Sequence, residues 1–160
     1  MTYASVSTVL PDEVFELDAA ADDWRAALKI AGERLTAGGF ATPDYTDEMI
    51  AAVEKLGPYI VVAPGIAFAH SRPSPAVLHT GMSWVRLSPP VDFGSAKNDP
   101  VWLVIGLAAT DEQAHIGVMS QIAGALSDSD RLERLRTASS PEEIRTILAP
   151  TDSPQEEGKR

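Results

Sequence analysis

Apolar positions along the chain switch between helical and extended spacing, which predicts helices and strands that interleave. Asp22–Ala37 carries apolar side chains at helical spacing, and Gly38-Gly39 ends that pattern. Thr42-Pro43 is typical of a helix start, because proline is favoured in the first helical turn. The helix that begins there is predicted to stop at Gly57-Pro58.

Four segments in the middle of the chain are apolar or partly alternating, which predicts strands. They are Tyr59–Ala63, Ile66–Ala69, Thr80–Leu87 and Val101–Ala109. The first is rich in β-branched residues and suits a buried strand. The last is the most apolar run in the chain, so it is predicted to be central. Pro89-Pro90 is predicted to break the strand before it, since proline cannot donate to a ladder.

Helical patterns return after the last strand. Thr110 and Gln113 have the spacing of a capping box, which predicts a helix that opens at Thr110. Two shorter helices are predicted for Asp130–Thr137 and Ser140–Leu148. Residues 150–160 have no apolar periodicity and are expected to be disordered.

The composition narrows the classes of protein to consider. A net charge of −10 disfavours binding to nucleic-acid phosphates and to anionic membrane surfaces. The chain has no apolar run of about 18 residues and no basic N-terminal segment leading into an apolar stretch, so neither a membrane span nor a secretion signal is predicted. The absence of cysteine excludes disulfides, thiolate metal sites and a cysteine nucleophile on this chain. We expect one cytoplasmic domain over residues 1–149, of α/β or α+β class.

Charge is unevenly distributed along the chain. Residues 57–110 carry only two acidic and three basic side chains, whereas the segments on either side are acidic. A buried sheet between solvated helices explains this pattern. The same pattern also means that an anion bound near Arg72 meets less repulsion there than elsewhere.

Two histidines and an arginine are the main candidates for chemistry. His70 follows an apolar strand-like segment, and Arg72 can present a guanidinium to an anion bound beside it. His115 lies near the predicted helix start, where free backbone N–H groups and the helix dipole favour anions. These residues indicate a site for a phosphate or carboxylate. Each histidine can also be purely structural, which is the preferred interpretation for His79.

Motifs for other chemistries are missing. The chain contains no P-loop, no G-x-S-x-G nucleophile elbow and no H-E-x-x-H zinc motif. His70 and His115 could still bind a metal in a metal-dependent hydrolase, although their spacing is not diagnostic. A binding module with structural histidines is the other alternative.

Three strings together carry a family resemblance. They are GPYIVVAPGIAFAHSRP, PPVDFGSAKNDPVWLVIGLAATDEQAH and IGVMSQIAGALSD. In these strings and in the preceding helix, the chain resembles the EIIA components of the bacterial phosphoenolpyruvate-dependent sugar phosphotransferase system (PTS) over roughly residues 20–148. It is most similar to the mannitol/fructose type, and within that type to the ascorbate branch.

The resemblance implies a mixed sheet of about five strands sandwiched between helices, and a phosphotransferase function. It implies that His70 accepts a phosphoryl group from the phosphocarrier HPr and passes it to a cysteine on a separate EIIB, which serves an EIIC transporter. His115 would flank the phosphohistidine and Arg72 would stabilise the phosphate. Backbone N–H groups of Thr110, Asp111, Glu112 and Gln113 are further candidates for phosphate binding. No metal or other cofactor is expected.

The resemblance also implies a mechanism, and the chain departs from the family pattern at one position. One nitrogen of His70 is expected to donate to a backbone carbonyl, which leaves Nε2 free to attack phosphorus. Ile66, Phe68 and Ile116 are expected to form an apolar docking rim. The family usually has proline where this chain has Ala69, which leaves φ unrestrained and is expected to loosen the turn. A regulatory EIIA-like protein that is phosphorylated on the same histidine is the main alternative.

Overall fold

The computed structural model of the protein describes residues 6–111, 113 and 116–149. The prediction of a disordered tail over residues 150–160 lies outside these residues. Five strands form one sheet within the described part of the chain: β1 Phe15–Ala19, β2 Val61–Ala63, β3 Ile66–Ala69, β4 Gly81–Val91 and β5 Val101–Ala108. The helices are α1 Val6–Val9, α2 Trp24–Ala37, α3 Pro43–Leu56, α4 Ile116–Ser127, α5 Ser129–Thr137 and α6 Pro141–Leu148, and a 3₁₀ turn covers Asp12–Val14.

The sheet is mixed, as expected, and its centre is β5. The strand order is β1-β4-β5-β3-β2, with β5 antiparallel to β4 and parallel to β3. Every residue of β5 is buried, which confirms the prediction that the most apolar run is central. β1 and β2 form the two edges of the sheet. The carboxyl ends of β3 and β5 therefore lie side by side.

Helices cover both faces of the sheet. Successive side chains of a strand point to opposite faces, so Ser83 and Arg86 project from opposite sides of β4. The Ser83 hydroxyl donates to the carbonyl of Ala31 in α2 at 2.9 Å. The Arg86 guanidinium donates to the carbonyls of Leu135 and Ala138 at the end of α5, at 3.1 and 2.7 Å. These contacts confirm the predicted sandwich.

Helix starts and stops in the first half of the chain follow the predicted signals. α2 begins after Asp23, whose side chain accepts from the N–H of Ala26 at 2.9 Å. α3 begins at Pro43 and ends before Gly57, whose φ of +83° suits glycine. The two short helices at the end of the chain, α5 and α6, also agree with the prediction within one residue.

Two strand predictions need correction. β4 does not break at Pro89-Pro90 but runs on to Val91. Both prolines are exposed and lie where the β4–β5 register shifts between Arg86 and Val91, so no ladder N–H is required of them. The predicted buried strand Tyr59–Ala63 is shorter, because β2 covers only Val61–Ala63. It is also an edge strand, with Val62 54 % exposed.

The helix predicted to open at Thr110 begins later, at Ile116. The Thr110 hydroxyl lies 3.1 Å from the hydroxyl of Thr80, and the Gln113 N–H donates to Asp111 Oδ1 at 2.9 Å. Thr110 is therefore not the cap of a helix. Thr80, directly before β4, hydrogen-bonds to Thr110 in place of the capping box that the spacing of Thr110 and Gln113 predicts.

Two helical glycines offer a matched test of this packing. A Cβ on Gly32 would clash with the Thr46 side chain where α2 meets α3, whereas one on Gly124 would meet no described atom beyond its own helical turn within 4 Å. Gly32→Ala is expected to lower the free energy of unfolding by about 1–3 kcal/mol through overpacking. Gly124→Ala is expected to raise it by roughly 0.5–1 kcal/mol through helix propensity. Urea unfolding of both variants and the wild type measures the two changes, and equal effects would contradict the close helix contact.

Candidate functional site

A cleft of about 830 Å³ opens at the carboxyl ends of β3 and β5. His70 is the first residue after β3, so the strand delivers its imidazole to the cleft, as predicted. The side chain is partly buried. The other lining residues come from α3, the β2–β3 hairpin, the segment after His70, the end of β5 and α4: Glu48, Ala52, Lys55, Leu56, Tyr59, Val62, Phe68, Ser71, Arg72, Pro73, Ser74, Leu107, Ala109, Asp111 and Met119.

The imidazole of His70 is held in one tautomer. Its Nδ1 lies 2.9 Å from the carbonyl oxygen of Phe68. A carbonyl can only accept, so Nδ1 carries the proton and Nε2 keeps its lone pair. Within the described part of the chain, no group hydrogen-bonds to Nε2. The arrangement is the one expected for a histidine that attacks through Nε2.

Two tyrosines hold the backbone on either side of that contact. The Tyr59 hydroxyl donates to the carbonyl of His70 at 3.3 Å, and its ring stands nearly perpendicular to the imidazole, with centroids 5.5 Å apart. The Tyr45 hydroxyl accepts from the N–H of Ser71 at 2.9 Å and donates to the carbonyl of Leu107 at 2.8 Å. Burial raises the pKa of Tyr45 to about 12, and burial also raises the pKa of Tyr59.

Neither tyrosine was among the residues predicted for the site. The signals available were weak: Tyr45 occupies an apolar position of the helix α3, and a buried tyrosine hydroxyl needs a partner. Tyr59 was assigned to a strand on the strength of its apolar neighbours. The partners of both hydroxyls are backbone groups far away in sequence, which no motif encodes.

Among the described residues that line the cleft, acidic and basic side chains are equal in number, although the protein is strongly acidic. Lys55 and Arg72 face Glu48 and Asp111 around its wall. Glu48 accepts a hydrogen bond from the Ser74 hydroxyl at 2.8 Å. Arg72 is exposed and makes no hydrogen bond or ion pair with any described residue, so its guanidinium is available to an anion at the cleft. Of these four charged side chains only Arg72 belongs to residues 57–110, so the balance does not follow from the near-neutral charge of that segment.

The predicted backbone donors before α4 are already engaged at two positions. The N–H of Thr110 donates to the Thr80 hydroxyl at 3.1 Å, and that of Gln113 donates to Asp111 Oδ1. The expectation that both N–H groups are free is therefore wrong in this conformation. Asp111 does line the cleft. Glu112 and His115 lie outside the described residues, so their predicted roles stay predictions.

The apolar rim differs in part from the expected one. Ile66 is only 2 % exposed and belongs to the core, and Phe68 is buried, although it lines the cleft. Ile116 is 56 % exposed but does not line the cleft. Leu56 and Val62, which were not predicted, are exposed apolar side chains on the cleft wall. The rim follows from α3 and the edge strand β2 rather than from β3.

His79 and Ala69 complete the account of the predicted positions. His79 is exposed and does not line the cleft, so it is not brought together with His70, and its structural interpretation stays a prediction. Ala69 is the last residue of β3, is fully buried and pairs with Gly106 of β5. Whether alanine instead of the family's proline loosens the turn stays a prediction.

Comparison with known proteins decides the family. The family model for the EIIA 2 components of the phosphoenolpyruvate-dependent sugar phosphotransferase system matches residues 8–150. The chain belongs to this family. EIIA components are phosphotransferases, and the metal-dependent hydrolase inferred as an alternative finds no support in that membership. Among residues 6–111, 113 and 116–149, no three His, Asp or Glu side chains are grouped to hold a metal ion.

Relatives agree with the fold and with the branch. The ascorbate-specific PTS EIIA component of Escherichia coli K12 is 37 % identical over 139 residues, which cover 86 % of this chain and 90 % of the relative. The mannitol IIA in complex with phosphorylated mannitol IIB from E. coli is 33 % identical, with a TM-score of 0.74, over 85 % of this chain and 94 % of that one. The nitrogen regulatory protein IIA-Ntr from Neisseria meningitidis is 30 % identical, with a TM-score of 0.75, over 90 % and 99 %.

No helix in the described part of this EIIA is both long and apolar enough to cross a bilayer.

The high pKa of Tyr45 predicts a specific loss of stability in alkali. In the unfolded chain tyrosine has its ordinary pKa of 10.0, whereas in the folded protein burial raises the pKa of Tyr45 to about 12. Over that window the folded state binds more protons, so the free energy of unfolding falls as pH rises, by up to about 1.4 kcal/mol for each pH unit. Denaturant unfolding between pH 9 and pH 12 measures the slope. Tyr45→Phe is expected to flatten it, and an unchanged slope would contradict the buried hydroxyl.

Proposed function

We propose that this EIIA is a phosphocarrier that accepts a phosphoryl group on Nε2 of His70. The observation that carries the proposal is the contact between His70 Nδ1 and the carbonyl of Phe68. It orients the ring and places the donor proton on Nδ1, so that the neutral imidazole keeps the lone pair of Nε2, on a side chain that lines an open cleft. Membership of a phosphotransferase family supplies the reaction class for that nucleophile.

Phosphoryl transfer to His70 needs no general base, because the attacking nitrogen carries no proton that has to be removed. The Nε2 lone pair forms a bond to phosphorus while the bond from phosphorus to the donor breaks, and that electron pair stays on the donor. Nδ1 keeps its proton throughout this step. Charge on the phosphoryl oxygens has to be offset by positioned cations and donors, and Arg72, which lines the cleft two residues after His70, is proposed to do so. His115 is proposed to flank the phosphorylated ring.

We propose phospho-HPr as the donor and a cysteine of a separate EIIB as the next acceptor. The EIIB thiolate would attack phosphorus as the N–P bond breaks, which returns the electron pair to Nε2. The similarity to a mannitol IIA that forms a complex with phosphorylated IIB supports the second partner. This chain has no cysteine of its own, so the thiol must come from the partner. An EIIC transporter would be served indirectly, and the protein would act in the cytoplasm.

The carbohydrate proposed for this pathway is ascorbate. The support is the 37 % identity to an ascorbate-specific EIIA component across 86 % of this chain. A regulatory role, in which phosphorylation of His70 controls binding to a target, is the second candidate. It is favoured by the similarity to a nitrogen regulatory IIA protein. Phosphoryl transfer to an ascorbate-type EIIB distinguishes the two, because a purely regulatory protein would not donate to it.

Incubation with phosphoenolpyruvate, Enzyme I and HPr tests the carrier function. The wild type is expected to gain about 80 Da, the mass of one phosphoryl group on the nucleophile, in an acid-labile linkage. His70→Ala is expected to gain nothing, because the acceptor atom is gone. His79→Ala is the matched control, since His79 is exposed outside the cleft, and it is expected to behave as the wild type. Absence of the gain in the wild type with an active HPr would contradict the proposal.

The apolar rim predicts where EIIB docks. Val62 is 54 % exposed on the cleft wall, so a charge there would be desolvated by a docked partner. Val62→Asp is expected to slow transfer to EIIB about tenfold, which corresponds to about 1.4 kcal/mol. Leu78→Asp is the control, because Leu78 is 49 % exposed but does not line the cleft. Single-turnover transfer from the phosphorylated variants measures both rates, and equal slowing would place the docking surface elsewhere.

A further inference from the structure

We propose that Tyr45 is a positioning residue, which holds the loop that carries His70 in the geometry required for phosphoryl transfer. The inference rests on the proposed phosphorylation of His70. Tyr45 does not line the cleft, and its hydroxyl bonds to backbone groups, so it acts through the loop rather than on phosphorus.

The first support is the completeness of the hydrogen bonding around the Tyr45 hydroxyl. Its oxygen accepts from the Ser71 N–H at 2.9 Å, and its proton points to the Leu107 carbonyl at 2.8 Å. The Ser71 carbonyl lies at 3.2 Å and shares that proton at longer range. The side chain is 1 % exposed, so water cannot replace these bonds without opening the core.

The second support is the place of these bonds in the sheet. The β3–β5 ladder ends where Ala69 pairs with Gly106. Beyond that pair, the segment that follows β3 is connected to β5 through the Tyr45 hydroxyl, which bonds to both Ser71 and Leu107. His70 is thus fixed by the ladder on its N-terminal side and by Tyr45 on its C-terminal side. In the described part of the chain, Ser71 has no other hydrogen-bond partner than Tyr45.

Tyr59 is the weaker of the two tyrosine contacts. Its hydroxyl is 3.3 Å from the His70 carbonyl, and the residue is 39 % exposed, so water can substitute for the bond. Its ring contacts the imidazole edge-on, and both side chains line the cleft. Tyr45 is therefore the residue whose hydroxyl the loop geometry depends on.

The test compares Tyr45→Phe with Ser83→Ala. Both changes remove a buried hydroxyl that donates to a backbone carbonyl, but that of Ser83 bonds to Ala31 in α2, away from the loop. Each variant is phosphorylated through Enzyme I and HPr and sampled in time by intact mass. Tyr45→Phe is expected to accept the phosphoryl group about tenfold more slowly than the wild type, because small displacements of a reacting atom are costly. Ser83→Ala is expected to keep the wild-type rate.

A spectroscopic readout separates positioning from loss of stability and does not need phosphorylation. In ¹⁵N NMR of the imidazole, wild-type His70 is expected to be the Nδ1–H tautomer, and Tyr45→Phe is expected to show a larger share of the Nε2–H form. Ser71 of the wild type is expected to have an amide that is protected from hydrogen exchange. That measurement stands even if Tyr45→Phe fails to fold.

The outcomes distinguish this inference from the proposed function. A wild type that is never phosphorylated overturns the carrier function, while an altered tautomer in Tyr45→Phe still supports the positioning role. A Tyr45→Phe variant with the wild-type rate and tautomer overturns the positioning role. Equal slowing in Ser83→Ala, or a Ser71 amide that exchanges as in an open peptide, overturns it as well.

Discussion

The parallel pairing of β3 with β5 is the constraint on which the rest of the site depends. Because the two strands run in the same direction, their carboxyl ends meet, and the residue that follows β3 comes to lie beside the end of a fully buried strand. β5 cannot shift without exposing apolar side chains on both of its faces. The position of His70 is therefore inherited from the most strongly buried element of the fold.

Electrostatics and burial work together at this position. A phosphoryl group adds roughly two negative charges, which a protein of net charge −10 would repel if its acidic groups were evenly placed. The acidic side chains are concentrated on the segments outside residues 57–110, and the described residues that line the cleft include two acidic and two basic side chains. The protein surface can thus be acidic overall while the cleft beside His70 repels a dianion less strongly.

Most of the architecture could be predicted from the sequence because it rests on local signals. Periodicity, glycine and proline positions located α2, α3 and the central strand, and the strand end delivered His70 to the cleft. β1 was missed, since its sequence FELDA alternates but carries two acidic residues and resembles a loop. The start of α4 was misplaced because Thr110 has a partner 30 residues away, in Thr80. The two tyrosines were not predicted for the same reason, because the hydrogen-bond partners of their hydroxyl groups are brought near only by the tertiary fold.

The bonds of Tyr45 attach the loop that carries His70 to the core, so this loop does not resemble a mobile lid. Tyr45 of α3 connects this loop to the buried strand β5 by hydrogen bonds, so the loop has little freedom to change its conformation when a partner protein binds. Under the proposed carrier function, each partner protein would have to bring phosphorus to one fixed position beside His70. Recognition of different partner proteins would then depend on the exposed rim and on the partners themselves. The rim could therefore diverge in evolution while the position of His70 is kept.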